Sequence, residues 1–291
     1  MDLDRYRPIS VPVPDVAGTA LGGGDWAGDG FPVLGIPGLT SNHRLMHLLA
    51  EALPGHRLVA QDARGRASGC GVPCPDSLTT HAEDLVRLLD DRGIDKAVVV
   101  GHSMGGFIAL RFAQLHPDRV GGLALIDGGP PVKLPGLLAS RWAVRATFRL
   151  KLKKAFRTYA DVDDLRRWLV EKADDFASFD PDFVRWAFEI DLAGPVGNMT
   201  LQQDLPVLLD DAVECFRAPW RAEALRTLSV PCHIVLAQWG AKQGAKPLYR
   251  SDPDPATLAP GTTVRRVAGS DHVSVLTDAA SLEAITALVP A

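Results

Sequence analysis

The stretch from residue 97 to residue 117 limits the fold more than any other part of the chain. Ala97, Val98, Val99 and Val100 form a short apolar run of strand length. Gly101-His102-Ser103-Met104-Gly105-Gly106 follows at once. From residue 104 to 116 the chain is almost wholly apolar, with Arg111 and Gln114 the exceptions, and Pro117 stops it. A helix apolar on most sides must be buried on most sides. A strand without polar alternation is buried on both faces. The segment therefore predicts a buried strand, a tight glycine-rich turn and a buried helix inside a sheet covered by helices.

The rest of the chain repeats this rhythm. Apolar runs at 31–36, 57–61 and 122–126, and later at 232–237 and 262–267, read as further strands. Leu78, Ala82, Leu85 and Leu89 fall on one helical face, with Thr80 and Glu83 as a capping box near its start and Gly93 at its end. Short apolar strands alternating with helices predict a mostly parallel sheet flanked by helices, an α/β architecture. Residues 9–21 alternate weakly into Gly22-Gly23-Gly24-Asp25, which reads as a hairpin turn.

Residues 131–229 break the pattern. They offer no convincing strand and three charged or aromatic helical stretches, and they hold 12 of the 19 aromatic residues. We read 1–130 and 230–291 as one core and 131–229 as a helical insertion that caps it. Arg141 to Arg157 carries seven basic residues and no acidic one. It could bind an anionic substrate or a membrane surface, but it reads first as the solvated face of a helix lying opposite the acidic stretch 161–191.

Composition narrows the class of function. A net charge of -4 and a pI near 6.1 argue against a nucleic-acid partner. No apolar run is long enough to span a bilayer, and the charged start lacks the pattern of a secretory signal, so a cytoplasmic location is expected. Cys70, Cys74, Cys215 and Cys232 lack the paired spacing of a zinc site and are expected as reduced thiols without chemistry. No phosphate-binding or metalloprotease motif occurs, and neither cofactor nor metal is expected.

The chemistry centres on Ser103. A serine hydroxyl is a weak nucleophile and must project from a tight turn toward a base. Gly101 and Gly105 remove side chains where strand and helix approach, and the helix N-terminus offers N–H groups to a developing oxyanion. In this context G-x-S-x-G reads as a nucleophile elbow.

Together with Gly35-Ile36-Pro37-Gly38-Leu39-Thr40, Asp62-Ala63-Arg64-Gly65-Arg66 and Val267-Ala268-Gly269-Ser270-Asp271-His272, the elbow resembles the α/β-hydrolase superfamily. The resemblance covers 31–130 and 230–288 and implies the α/β-hydrolase fold with a Ser-acid-His mechanism. It places the base at His272, after the last strand. The usual acid position after the strand at 232–237 holds no Asp or Glu. The other position known in the superfamily, the end of the strand at 122–126, holds Asp127. Asp252 and Asp254 are the alternatives, and a triad without its acid is a third. The oxyanion hole is expected from the backbone N–H groups of Leu39 and Met104, with Pro37 where relatives usually carry histidine. The Asp62, Arg64 and Arg66 loop is expected to hold itself together. The resemblance implies a serine hydrolase that cleaves a carboxylic ester, or a lactone or thioester, of a fairly apolar small molecule. Two alternatives stay open: a biosynthetic acyltransferase or cyclase, and a non-catalytic ligand-binding protein of the same fold. Oligomeric state is not readable.

Overall fold

The computed structural model describes residues 2–132, 140–173, 176 and 179–290. Its main sheet has eight strands: β1 (Tyr6–Pro12), β2 (Ala20–Trp26), β3 (Gly30–Ile36), β4 (His56–Gln61), β5 (Ala97–His102), β6 (Val120–Ile126), β9 (Cys232–Ala237) and β10 (Thr263–Val267). Their spatial order is β1-β2-β4-β3-β5-β6-β9-β10. From β4 to β10 every neighbouring pair is parallel; β1 and β2 join antiparallel at one edge. This is the α/β-hydrolase fold.

The apolar strands are buried on both faces, as their lack of alternation demands. In β5, Val98 and Val100 enter one apolar core with Leu49 of α1 (His47–Ala52) and Ile285 of α9 (Ala279–Thr286). Ala97 and Val99 enter the other, with Leu85 of α2 (Ser77–Asp91), Phe107 of α3 (Met104–Leu115) and Leu225 of α8 (Trp220–Arg226). The two-residue period of a strand thus feeds two separate cores.

Two local expectations fail for the same reason. The chain reverses at 13–19, where Val13 N–H donates to Thr19 O, and Gly22 to Gly24 lie inside β2. A Cβ on Gly23 would meet Ala60 O at 2.4 Å, so these glycines serve close approach across the sheet, not a turn. The capping box also does not form. Helix α2 begins earlier, at Ser77; Thr80 Oγ1 accepts from Asp76 N–H, and Glu83 lies 3.0 Å from His116. In both cases a distant partner outweighs the local pattern.

Between β6 and β9 lie α4 (Arg141–Leu152), α5 (Val162–Trp168), α6 (Pro181–Phe188), α7 (Leu205–Arg217) and α8. A two-strand pair, β7 (Leu192–Ala193) with β8 (Thr200–Leu201), also occurs here, too short for its alternation to register in the sequence. Phe183 and Phe188 are buried in the core shared with α1. The basic run does not face the acidic stretch 161–191 as a block. Arg145 pairs with Asp210 and Arg141 with Glu214, both on α7, and among the described residues Arg157 alone of the run pairs into 161–191, with Asp164.

Candidate active site

Ser103 sits at the sharp junction of β5 and α3, with φ 56° and ψ −120°. Non-glycine residues rarely adopt positive φ, and they do so where surrounding structure over-determines them. That surrounding structure is glycine. A Cβ on Gly105 would lie 2.0 Å from Ile36 O, and one on Gly128 would lie 1.9 Å from Ser103 O. The turn is held by Ser103 N–H donating to Ile126 O at 2.9 Å, and Ser103 caps a helix of 12 residues.

Asp127 follows β6, is fully buried and also has positive φ, 43°. Its N–H donates to Val235 O, and its Oδ1 accepts from Ala237 N–H at 3.2 Å. Its Oδ2 lies 2.5 Å from His272 Nδ1. His272 Nε2 lies 2.9 Å from Ser103 Oγ. A carboxylate only accepts, so Nδ1 carries the proton and Nε2 is left to accept from the serine hydroxyl. The loop bearing His272 is fixed locally. Asp271 Oδ1 accepts from the N–H groups of Val273 and Ser274, and His272 N–H donates to Gly240 O. Asp252 and Asp254 are engaged elsewhere, Asp252 with Arg266 and Asp254 as the cap of a short 3-10 turn at 255–257. The three residues picked from the sequence, Ser103, Asp127 and His272, therefore meet.

The loop after β3 reaches the same point. A Cβ on Gly38 would lie 3.3 Å from Ser103 Cβ, which brings Leu39 beside the serine, and both Leu39 and Met104 line the adjoining cavity. Arg66, wholly buried, supports this loop: its Nε donates to Leu39 O at 2.7 Å, and its Nη2 lies 3.3 Å from Met104 Sδ. Its Nη1 pairs with Asp211 of α7 at 2.6 Å. The loop around Asp62 is structural as expected, but Arg66 also touches both Leu39 and Met104. Asp211 carried no signal in the sequence, because its partners come from a different part of the chain.

His102 is a second residue that sequence reasoning passed over. Its Nε2 donates to the backbone carbonyl of His272 at 2.6 Å, and its Nδ1 has no partner among the described residues. Burial, reinforced by the nearby His272, lowers its pKa to about 4, so the ring is neutral at physiological pH.

Among the described residues, Cys74, His81 and Asp211 bring three ligand-type atoms within 4.8 Å of one another. Asp211 there already meets Arg66, Ser77 and His81. Burial alone would lower His81, but Asp211 and the Cys74 sulfur raise it to about 10. The group is thus an internal ion-pair cluster whose positive partners are protein side chains.

Two cavities, of about 620 and 540 Å³, meet at Ser103 and His272. Val144, Phe148, Phe216 and Tyr249 line the first; Leu165, Trp168 and Phe188 line the second. Each volume is in the range that accommodates a small organic group. Among the described residues, no helix is long and apolar enough to cross a membrane.

The family model described as "alpha/beta hydrolase fold" matches residues 32–161, somewhat under half of the chain, in agreement with the fold described above. Among curated relatives, it is 38% identical over 104 residues to Lipase LipV of Mycobacterium tuberculosis, covering 36% of this chain and 39% of that one. It is 30% identical over 149 residues to the putative carbamate hydrolase RutD of Azorhizobium caulinodans, covering 50% and 55%. The matches thus span about two fifths to just over half the length of these relatives. Of solved structures, E-2-(acetamidomethylene)succinate hydrolase superposes with a TM-score of 0.75 at 20% identity, covering 97% of this chain and 98% of that one.

Proposed function

We propose that this chain is a hydrolase, and specifically a serine hydrolase that cleaves a carboxylic ester of a fairly apolar small molecule through an acyl-enzyme. The observation that carries the reading is the hydrogen-bonded line Ser103–His272–Asp127 at the junction of two cavities. The names of its relatives, a lipase and a putative carbamate hydrolase, support hydrolysis as the general chemistry.

In this reading Ser103 Oγ attacks the carbonyl carbon as His272 Nε2 takes its proton. Asp127 orients the imidazole and stabilises its charged form. The N–H groups of Leu39 and Met104 receive the oxyanion, and the helix N-terminus at Ser103 favours that charge. His272 then protonates the leaving alcohol. Water, deprotonated by His272, attacks the acyl-enzyme and releases the acid. Residues 131–229 form the cap, which walls both cavities through Phe148, Trp168 and Phe216. A neutral His102 beside His272 suits this sequence, since a second cation there would oppose the imidazolium.

The test is intact-mass analysis after exposure to a fluorophosphonate. One adduct is expected on the wild type, none on Ser103→Ala and strongly slowed labelling on His272→Ala. Absence of an adduct on folded wild type would leave the serine unactivated and move a ligand-binding role ahead.

A further inference from the structure

Five of the seven basic residues of 141–157 fall into two sets. Arg141, Arg145 and Arg157 face carboxylates of the chain itself. Lys151 instead lines both cavities, and Lys154 lines the second. Lys246 and Arg250 line the first cavity, contributed by the segment after β9. None of these four cations has a carboxylate in ion-pair reach among the described residues.

The acidic groups of the two cavities do not offset them. Asp252 is held by Arg266 at 2.7 Å. Asp191 is 1% exposed, its Oδ1 has no partner among the described residues, and burial raises its pKa well above the usual carboxylate range. The cleft is therefore positive in a chain whose net charge is -4. Charges of one sign at the mouth of an apolar cleft concentrate the field there and draw in ligands of the opposite sign.

We infer that the substrate is an anionic ester, whose carboxylate-type group is held at the mouth of the first cavity by Lys151, Lys246 and Arg250. Its apolar part lies against Val144, Phe148 and Phe216. The inference rests on the reading of Ser103 as nucleophile, and it adds the chemical class of the substrate. Lys151 is the central residue, because it lines both of the cavities that Ser103 lines. No covalent step changes; the cations act on binding and encounter.

Two matched pairs of esters test it. Monophenyl glutarate and its methyl ester place the charge on the acyl side; 3-(4-acetoxyphenyl)propanoate and its methyl ester place it on the leaving-group side. Release of the phenol is followed at low salt. For at least one pair, kcat/KM should favour the anion by about tenfold or more. The ratio should fall toward one in about 0.5 M NaCl and in the Lys151→Gln/Arg250→Gln double variant. Equal or reversed ratios in both pairs, with the neutral esters turned over, overturn the inference and leave the hydrolase reading intact. Equilibrium binding of the same pairs to Ser103→Ala separates the two. Preference for the anion in binding, with no turnover by the wild type, sinks the hydrolase reading and with it the ester substrate, and leaves only an anion-binding cleft.

Discussion

The core and residues 131–229, which we read as an insertion, hold their residues in place by opposite means. In the core, backbone sets the geometry: glycines admit carbonyls at distances no Cβ allows, and two positive-φ residues project Ser103 and Asp127 from strand ends. In the insertion, side chains set it. Aromatic rings wall the cavities and surface ion pairs tie α4 to α7. The difference teaches how one scaffold serves many substrates. Reacting groups fixed by backbone tolerate little change, while walls made of side chains can be exchanged one residue at a time. Arg66 crosses between the two, joining Leu39 and Met104 of the core to Asp211 of the insertion.

If backbone placement decides the chemistry, the largest effect belongs to the smallest change in shape. Asp127→Asn keeps the side chain's volume but removes the charge that fixes the imidazole tautomer. A fall in kcat of about 10⁴-fold is expected, with the fold unchanged by circular dichroism. Full ester turnover by this variant would remove Asp127 from the triad. Arg66→Met strikes the crossing point. It leaves Asp211 buried beside His81 without its arginine, and removing one partner of a buried pair costs about 3–5 kcal/mol. Urea denaturation should show that loss. The Leu39 loop should also lose its anchor, so kcat should fall more than KM rises in the protein that still folds.

His102 sharpens the comparison on the core side through pH. Its pKa in the folded chain, about 4, lies below the ordinary 6.5. Between those values the unfolded chain binds the proton and the folded chain does not, so stability falls as pH drops from 6.5 toward 4. The shift corresponds to roughly 3 kcal/mol at full effect. His102→Gln, which offers a donor to the His272 carbonyl, should flatten that part of the stability profile measured by chemical denaturation. An unchanged acid limb would show that His102 already titrates normally in the folded chain.

Most of the core was legible because its signals are local. Six of the eight main strands and the elbow each follow from a few consecutive residues and their place in the strand–helix rhythm, and the resemblance then implies His272 and Asp127 at strand ends. What was not legible depends on contacts between distant segments. Gly22 to Gly24 read as a turn because nothing nearby reveals that Ala60 lies against them. Asp211 gave no sign of Arg66 and His81, which lie far from it in sequence. The insertion has no repeating pattern that fixes how its helices meet, so Phe148 and Phe216 were readable as aromatic but not as walls of one cavity.

The smallest effect expected is at the surface pair that joins α4 to α7. Arg145 and Asp210 are both exposed, about 42% and 57% by side chain. An ion pair in that setting gains little Coulomb energy over water and holds two long side chains in one geometry, so it contributes under about 1 kcal/mol. Arg145→Ala should leave the denaturation midpoint nearly unchanged. Its consequence lies in placement, because Val144 and Phe148, on the same helix, wall the first cavity. If side chains alone position that wall, loosening α4 changes the ranking among esters of different size while the rate of fluorophosphonate labelling at Ser103 holds steady. A parallel drop in labelling would mean that the insertion also bears on the serine, and the division between the two regions would be less complete than their packing suggests.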